Sequence, residues 1–183
     1  RAQYPDIDIR LVASAKAGDL TGAGIDLAVR YGRGIWPNAV ADLMFGNEIF
    51  PVCAPAYLEQ HGPINILPDL LEADLLHLDS FDRNWITWES WLKDFGLAAP
   101  SDAKGISFDN YMVLIHAAIR GEGIALFGTR LAEDLIARGD LVRPIEATLP
   151  SESSFYLLHS LDRSLGPLAG RFRGWLLGEA RGP

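Results

Sequence analysis

Two short stretches of the chain place polar residues where strands and helices should meet. Arg30-Tyr31-Gly32-Arg33-Gly34 sets two cations and two glycines after an apolar run. Guanidinium forks on a permissive backbone suit a carboxylate or a phosphate. An exposed loop with solvated arginines fits the same spacing. Asp109-Asn110 opens the nearly apolar segment from Tyr111 to Ile119. Asp or Asn there can cap free helical N–H groups, and the same N–H groups can hold an anion or a polar ligand. The spacing leaves both roles open.

Other chemistries find little support. His61, His77, His116 and His159 are widely separated, Cys53 has no near partner, and neither HExxH nor CxxC occurs; no metal and no cofactor are expected. There is no GxSxG elbow. Asp109 and His116, seven residues apart on a helix, would stand about 10 Å apart, too far for a base and its orienting carboxylate. The chain is therefore expected not to be an enzyme. Gly22-Ala23-Gly24 and Gly121-Glu122-Gly123 precede strands, whereas a dinucleotide fingerprint follows one. Trp85, Trp88 and Trp91 spread over a wide helical stripe. They read as core, although one of them could wall a ligand cleft.

Composition narrows the class. The chain has 183 residues, 49% of them hydrophobic and 22% charged, as in ordinary globular proteins. A net charge of −8 disfavours a nucleic-acid surface on these residues. No apolar run approaches the roughly 18 residues of a membrane span, and RAQYPDIDIR at the start has no apolar signal core. A single cysteine excludes an internal disulfide and fits a reducing compartment. A cytoplasmic location without membrane partners is expected.

Strands and helices should alternate. Strands are predicted at Ile7–Val12, Ile25–Tyr31, Asp42–Cys53 (interrupted near Gly46-Asn47), Leu75–Leu78, Gly105–Phe108, Ile124–Phe127, Leu141-Val142 and Phe155–His159. Helices are predicted from Pro55, from Pro68, over Trp85–Phe95 with Gly96 as its stop, after Asn110, over Thr129–Arg138 with Gly139 as its stop, and over Pro167–Glu179. That alternation implies an α/β architecture with mostly parallel sheets. Ligands in such folds sit beyond the carboxyl ends of strands.

The ordered run of segments adds a resemblance. Asp26-Leu27-Ala28-Val29-Arg30-Tyr31-Gly32 with Pro51-Val52-Cys53-Ala54-Pro55, then WITWESWLKDFGL, FDNYMVLIHAAIRGEGIALFGTRLAEDLIARGDLVRPI and FRGWLLGEA, resembles the effector-binding domain of LysR-type transcriptional regulators. The glycine-cleavage-activator branch is the nearest likeness. The resemblance implies a periplasmic-binding-protein-like (type 2) fold, in which two Rossmann-like subdomains are joined by two crossover strands. Subdomain I would take residues 1–52 and 160–183, and subdomain II residues 53–159. It also implies a small-molecule effector, held in this chain by Arg30, Tyr31, Gly32 and Arg33 on one side. Ser107, Phe108, Asp109, Asn110, Phe127 and Gly128 would face them. The arginines point to an anionic or zwitterionic effector. A homodimer or homotetramer is implied, with promoter DNA bound only through an N-terminal winged helix-turn-helix absent from this chain. The family's first strand and helix are not matched by residues from Arg1 onward. The rival of another class is the solute-binding protein of a transporter.

Overall fold

The computed structural model describes residues 4–13, 24–79, 85–98 and 105–181. Two compact units emerge. One joins the described residues up to Gly46 to those from Glu152; the other runs from Asn47 to Ser151. These divisions lie N-terminal to the boundaries expected after residues 52 and 159. Strand pairing explains the difference, because each crossing strand finds all its partners in a single unit.

In the first unit β1 (Ala28–Gly32), β2 (Ala39–Phe45) and β8 (Ser154–Ser160) form a sheet in the order β1-β8-β2. Both pairings are antiparallel. The central strand carries the unit's apolar core, with Leu157 and Leu158 buried. Asn38 takes a φ of 58° just before β2, a left-handed turn that Asn tolerates better than most residues. Helix α5 (Pro167–Arg181) is tied to β2 by Arg173, whose Nε and Nη2 donate to the two carboxylate oxygens of Asp42 at 2.8 and 2.6 Å.

The second unit holds β3 (Glu48–Val52), β4 (Leu75–Leu78), β5 (Gly105–Phe108), β6 (Ile124–Gly128) and β7 (Leu149–Pro150) in the order β5-β4-β6-β3-β7. Here β4 runs parallel to β5 and β6, while β3 is antiparallel to β6 and β7. Successive strand residues alternate between faces. Leu76 and Ala125 accordingly join one core cluster, while their neighbours Leu75 and Ile124 join the other. Helices α3 (Tyr111–Ile119) and α4 (Thr129–Ala137) cover the first face. Helices α1 (Pro55–His61) and α2 (Trp88–Asp94), with a 3₁₀ turn at Leu67–Leu71, cover the second. A strand buried on both faces needs apolar residues in succession, and Leu75-Leu76 and Ile124-Ala125 supply them.

The expectation of mostly parallel sheets is corrected: one sheet is antiparallel and the other mixed. No strand forms over Ile7–Val12; Leu11 and Val12 are exposed and pair with nothing among the described residues. Leu141-Val142 contributes only an isolated bridge from Val142 to Cys53. Helix α2 starts at Trp88, later than the predicted Trp85, because the Thr87 hydroxyl accepts from Ser90 N and caps it there. Pro68 begins a 3₁₀ turn and not an α-helix. Gly22 and Ala23 of the predicted turn, and the first three residues, lie outside the described residues.

Candidate ligand-binding site

Parallel pairing brings the carboxyl ends of β4, β5 and β6 to one edge of the second unit's sheet. Two helices begin at that edge, α3 after β5 and α4 after β6. Their first N–H groups lack intrahelical partners. Asn110 answers this for α3: its Oδ1 accepts from Met112 N at 2.8 Å and Val113 N at 3.4 Å. The bland role of Asn110 is thus realised, and its amide N–H groups are left to donate elsewhere. Asp109 and Ser107 are exposed, and Phe108 is half-buried against the α3 side of the core. Helix α4 has Gly128 at its N-cap, with no side-chain cap. A Cβ there would strike the Asn47 amide, so the strand end admits no larger residue without a shift. Phe127 is 0% exposed and its ring belongs to the core, 5.5 Å from that of Tyr111. Only its main chain is left for a ligand.

A cavity of about 80 Å³ opens within this unit, lined among others by His77, Leu78, Trp85, Trp88, Tyr111 and Gly128. Trp85 stacks on Tyr111 with ring centroids 5.0 Å apart. Trp88 donates its indole N–H to the Leu76 carbonyl at 3.0 Å, and Trp91 its own to Ile49 at 3.2 Å. Trp91 is wholly buried and plays no part in the cavity wall. Burial lowers the pKa of His77 and favours its neutral form. Its ring lies against Gly105 on the adjoining strand, where a Cβ would collide with both the imidazole and the Leu75 carbonyl. His77, Leu78 and Tyr111 were not singled out from the sequence. Their signal was a strand and a helix start facing one sheet edge, which needs the pairing order to be seen.

The first unit carries the other expected group. Arg30, Tyr31 and Gly32 lie inside β1, not in a loop after it, and Arg33 opens the following turn. Arg33 pairs with Glu152 at 2.7 Å, both side chains largely in solvent. Tyr31 is nearly buried, its ring 4.9 Å from that of Phe155. Arg30 stands opposite Tyr156 in the ladder, half-buried, and forms no ion pair among the described residues. Elsewhere, burial pushes the Cys53 thiol up to about 12, so this cysteine is inert. No group of His, Cys, Asp and Glu able to hold a metal occurs among the described residues. No helix there is long and apolar enough to cross a membrane.

Comparison with known proteins agrees with this architecture. The family model described as the LysR substrate binding domain matches residues 1–181. The glycine cleavage system transcriptional activator of Escherichia coli (strain K12) is 33% identical over 178 residues, covering 97% of this chain and 57% of that protein. The HTH-type transcriptional activator AmpR of Pseudomonas aeruginosa is 32% identical over 188 residues, covering 100% of this chain and 60% of that protein. The chain therefore spans less than two thirds of these relatives. Among solved structures, the effector domain of Pseudomonas aeruginosa AmpR matches with a TM-score of 0.81 at 29% identity, covering 98% of this chain and 84% of that one. The AmpR effector binding domain from Citrobacter freundii matches with a TM-score of 0.83 at 26% identity, covering 100% of this chain and 88% of that one. The fold is mixed α/β, of the two-subdomain type 2 periplasmic-binding-protein-like kind, and the chain belongs to the family of LysR substrate-binding domains.

Proposed function

We propose that this chain is the effector-sensing part of a bacterial LysR-type transcriptional regulator and that it binds a small metabolite. The observation that carries this is the sheet edge of the second unit. Three parallel strand ends and the starts of two helices collect there beside an open cavity. Open α/β sheets bind ligands at such an edge. Asp109, the amide N–H groups of Asn110, Ser107 and the main chain at Phe127-Gly128 supply polar contacts there. Within the first unit, Arg30 beside Tyr31 and Gly32 is the candidate anion-binding group. A half-buried guanidinium without a carboxylate partner among the described residues favours an anionic or zwitterionic effector. Arg33 contributes less, being engaged with Glu152.

The chain is not an enzyme in this scheme; its relatives are transcriptional regulators. It works in the cytoplasm as a homodimer or homotetramer. Promoter DNA is bound through a separate N-terminal domain. The effector acts by binding two arrangements of the regulator with different affinity, the one way a ligand shifts such an equilibrium. Assignment as a transporter's solute-binding protein is not favoured, since the matched relatives are activators.

A thermal-shift screen of the chain against amino acids, purines, small organic acids and cell-wall peptides tests this. A ligand at a hundred times its Kd should add roughly 2.7 kcal/mol of stability. The shift should vanish in Asp109→Ala and in Arg30→Ala. A stabilising ligand indifferent to both substitutions would remove these residues from the site.

A further inference from the structure

We infer that Asn47 is a positioning residue, one that couples the start of α4 to the two points where the chain enters and leaves the second unit. Gly128, the N-cap of α4, shows why. Its φ of −84° and ψ of 150° are extended backbone that any residue adopts, so conformational freedom does not call for a glycine there. Space does. Ile49 stands opposite Gly128 in the β3–β6 ladder, and residues two apart on a strand share a face. Asn47 accordingly fills the place of the missing side chain. A Cβ on Gly128 would lie 2.8 Å from Asn47 Cγ, against the roughly 3.5–4.0 Å of two carbons in contact. Asn47 is 8% exposed and has little room to retreat. Its main chain is engaged as well. The Asn47 carbonyl accepts from Ser151 N at 2.9 Å, and the next carbonyl, that of Glu48, accepts from the Thr129 hydroxyl in the first turn of α4 at 3.2 Å. Asn47 is the first residue of the second unit and Ser151 its last. One side chain thus connects the helix start with the hydrogen bond that ties entry to exit. Close-packed neighbours pass on a shift and do not absorb it. On the sensing function proposed above, an effector held by the main chain at Gly128 would reach both chain passages through Asn47.

A double-mutant cycle in the full chain tests the coupling, with exchange of the Ser151 amide proton as the readout. The Ile124 amide proton, held by the Asp74 carbonyl at 2.8 Å in the same unit, is the reference for global opening. Gly128→Ala drives a methyl group against Asn47 and should speed Ser151 exchange about tenfold relative to Ile124. Asn47→Ala keeps the accepting carbonyl and empties the space. In that background Gly128→Ala should add less than about twofold. Should Gly128→Ala alone fail to fold, the double variant should restore a folded chain. An unchanged ratio of Ser151 to Ile124 exchange in a folded Gly128→Ala overturns the inference. So does an equal effect of Gly128→Ala with and without the Asn47 side chain, or a double variant as unfolded as Gly128→Ala alone. No ligand enters the cycle, so its result is independent of whether any metabolite stabilises the chain.

Discussion

His77 is the residue whose titration the structure makes informative. Its ring is packed on Gly105, and its Nε2 is buried without a hydrogen-bond partner among the described residues. Its folded pKa therefore lies below the ordinary 6.5. The linkage sign follows from that direction. Above about 6.5 both states hold a neutral imidazole, and the group costs nothing. Below it the unfolded chain takes up a proton that the folded chain resists, so stability falls as pH drops toward the folded pKa. Melting temperatures measured from pH 7 to pH 5 should decline more steeply for the native chain than for His77→Asn. Parallel declines would mean that the imidazole is solvated in the folded state.

At the scale of the element, the start of α3 decides what Asn110 does. Its Oδ1 accepts from two main-chain N–H groups, so Asn110→Ala should destabilise by about 1 kcal/mol in denaturant unfolding. Asn110→Asp keeps the accepting oxygen and should recover most of that. An effector affinity lost in both variants would add a ligand role for the amide N–H; affinity kept in Asn110→Asp would leave a cap alone. This element also shows how far the sequence could be read. The apolar run from Tyr111 and the polar pair before it located the helix and its cap to the residue, and β4 and β5 came out with their observed ends. Local signals failed where partners are remote. Ile7–Val12 alternates like a strand but has no neighbour to pair with among the described residues. The two-residue β7 exists only because Glu48 and Ile49 pair with it. The site divided in the same way. Asp109-Asn110 stood out by type and position, whereas the wall made by His77, Leu78 and Tyr111 depends on β4 lying between β5 and β6.

Across the whole molecule, the two units differ in how the chain builds them. The first is assembled from two stretches far apart in sequence, joined through β8 as it inserts between β1 and β2. Neither stretch alone can complete that sheet. The second unit is continuous from Asn47 to Ser151. Its ends meet, since Ser151 N donates to the Asn47 carbonyl at 2.9 Å, and β7 lies beside β3. Its sheet has a helix-covered core cluster on each face, with Trp91, Phe127, Leu75 and Leu76 buried among its own residues. A unit with its own core and adjoining ends meets the conditions for independent folding. The fragment 47–151, expressed alone, should therefore give a dispersed amide spectrum and a single cooperative urea transition. The indole N–H protons of Trp88 and Trp91, held by main-chain carbonyls of the same unit, should exchange slowly with solvent in it. A fragment that keeps helical circular dichroism but loses this protection would show that the second unit needs residues of the first to close its core.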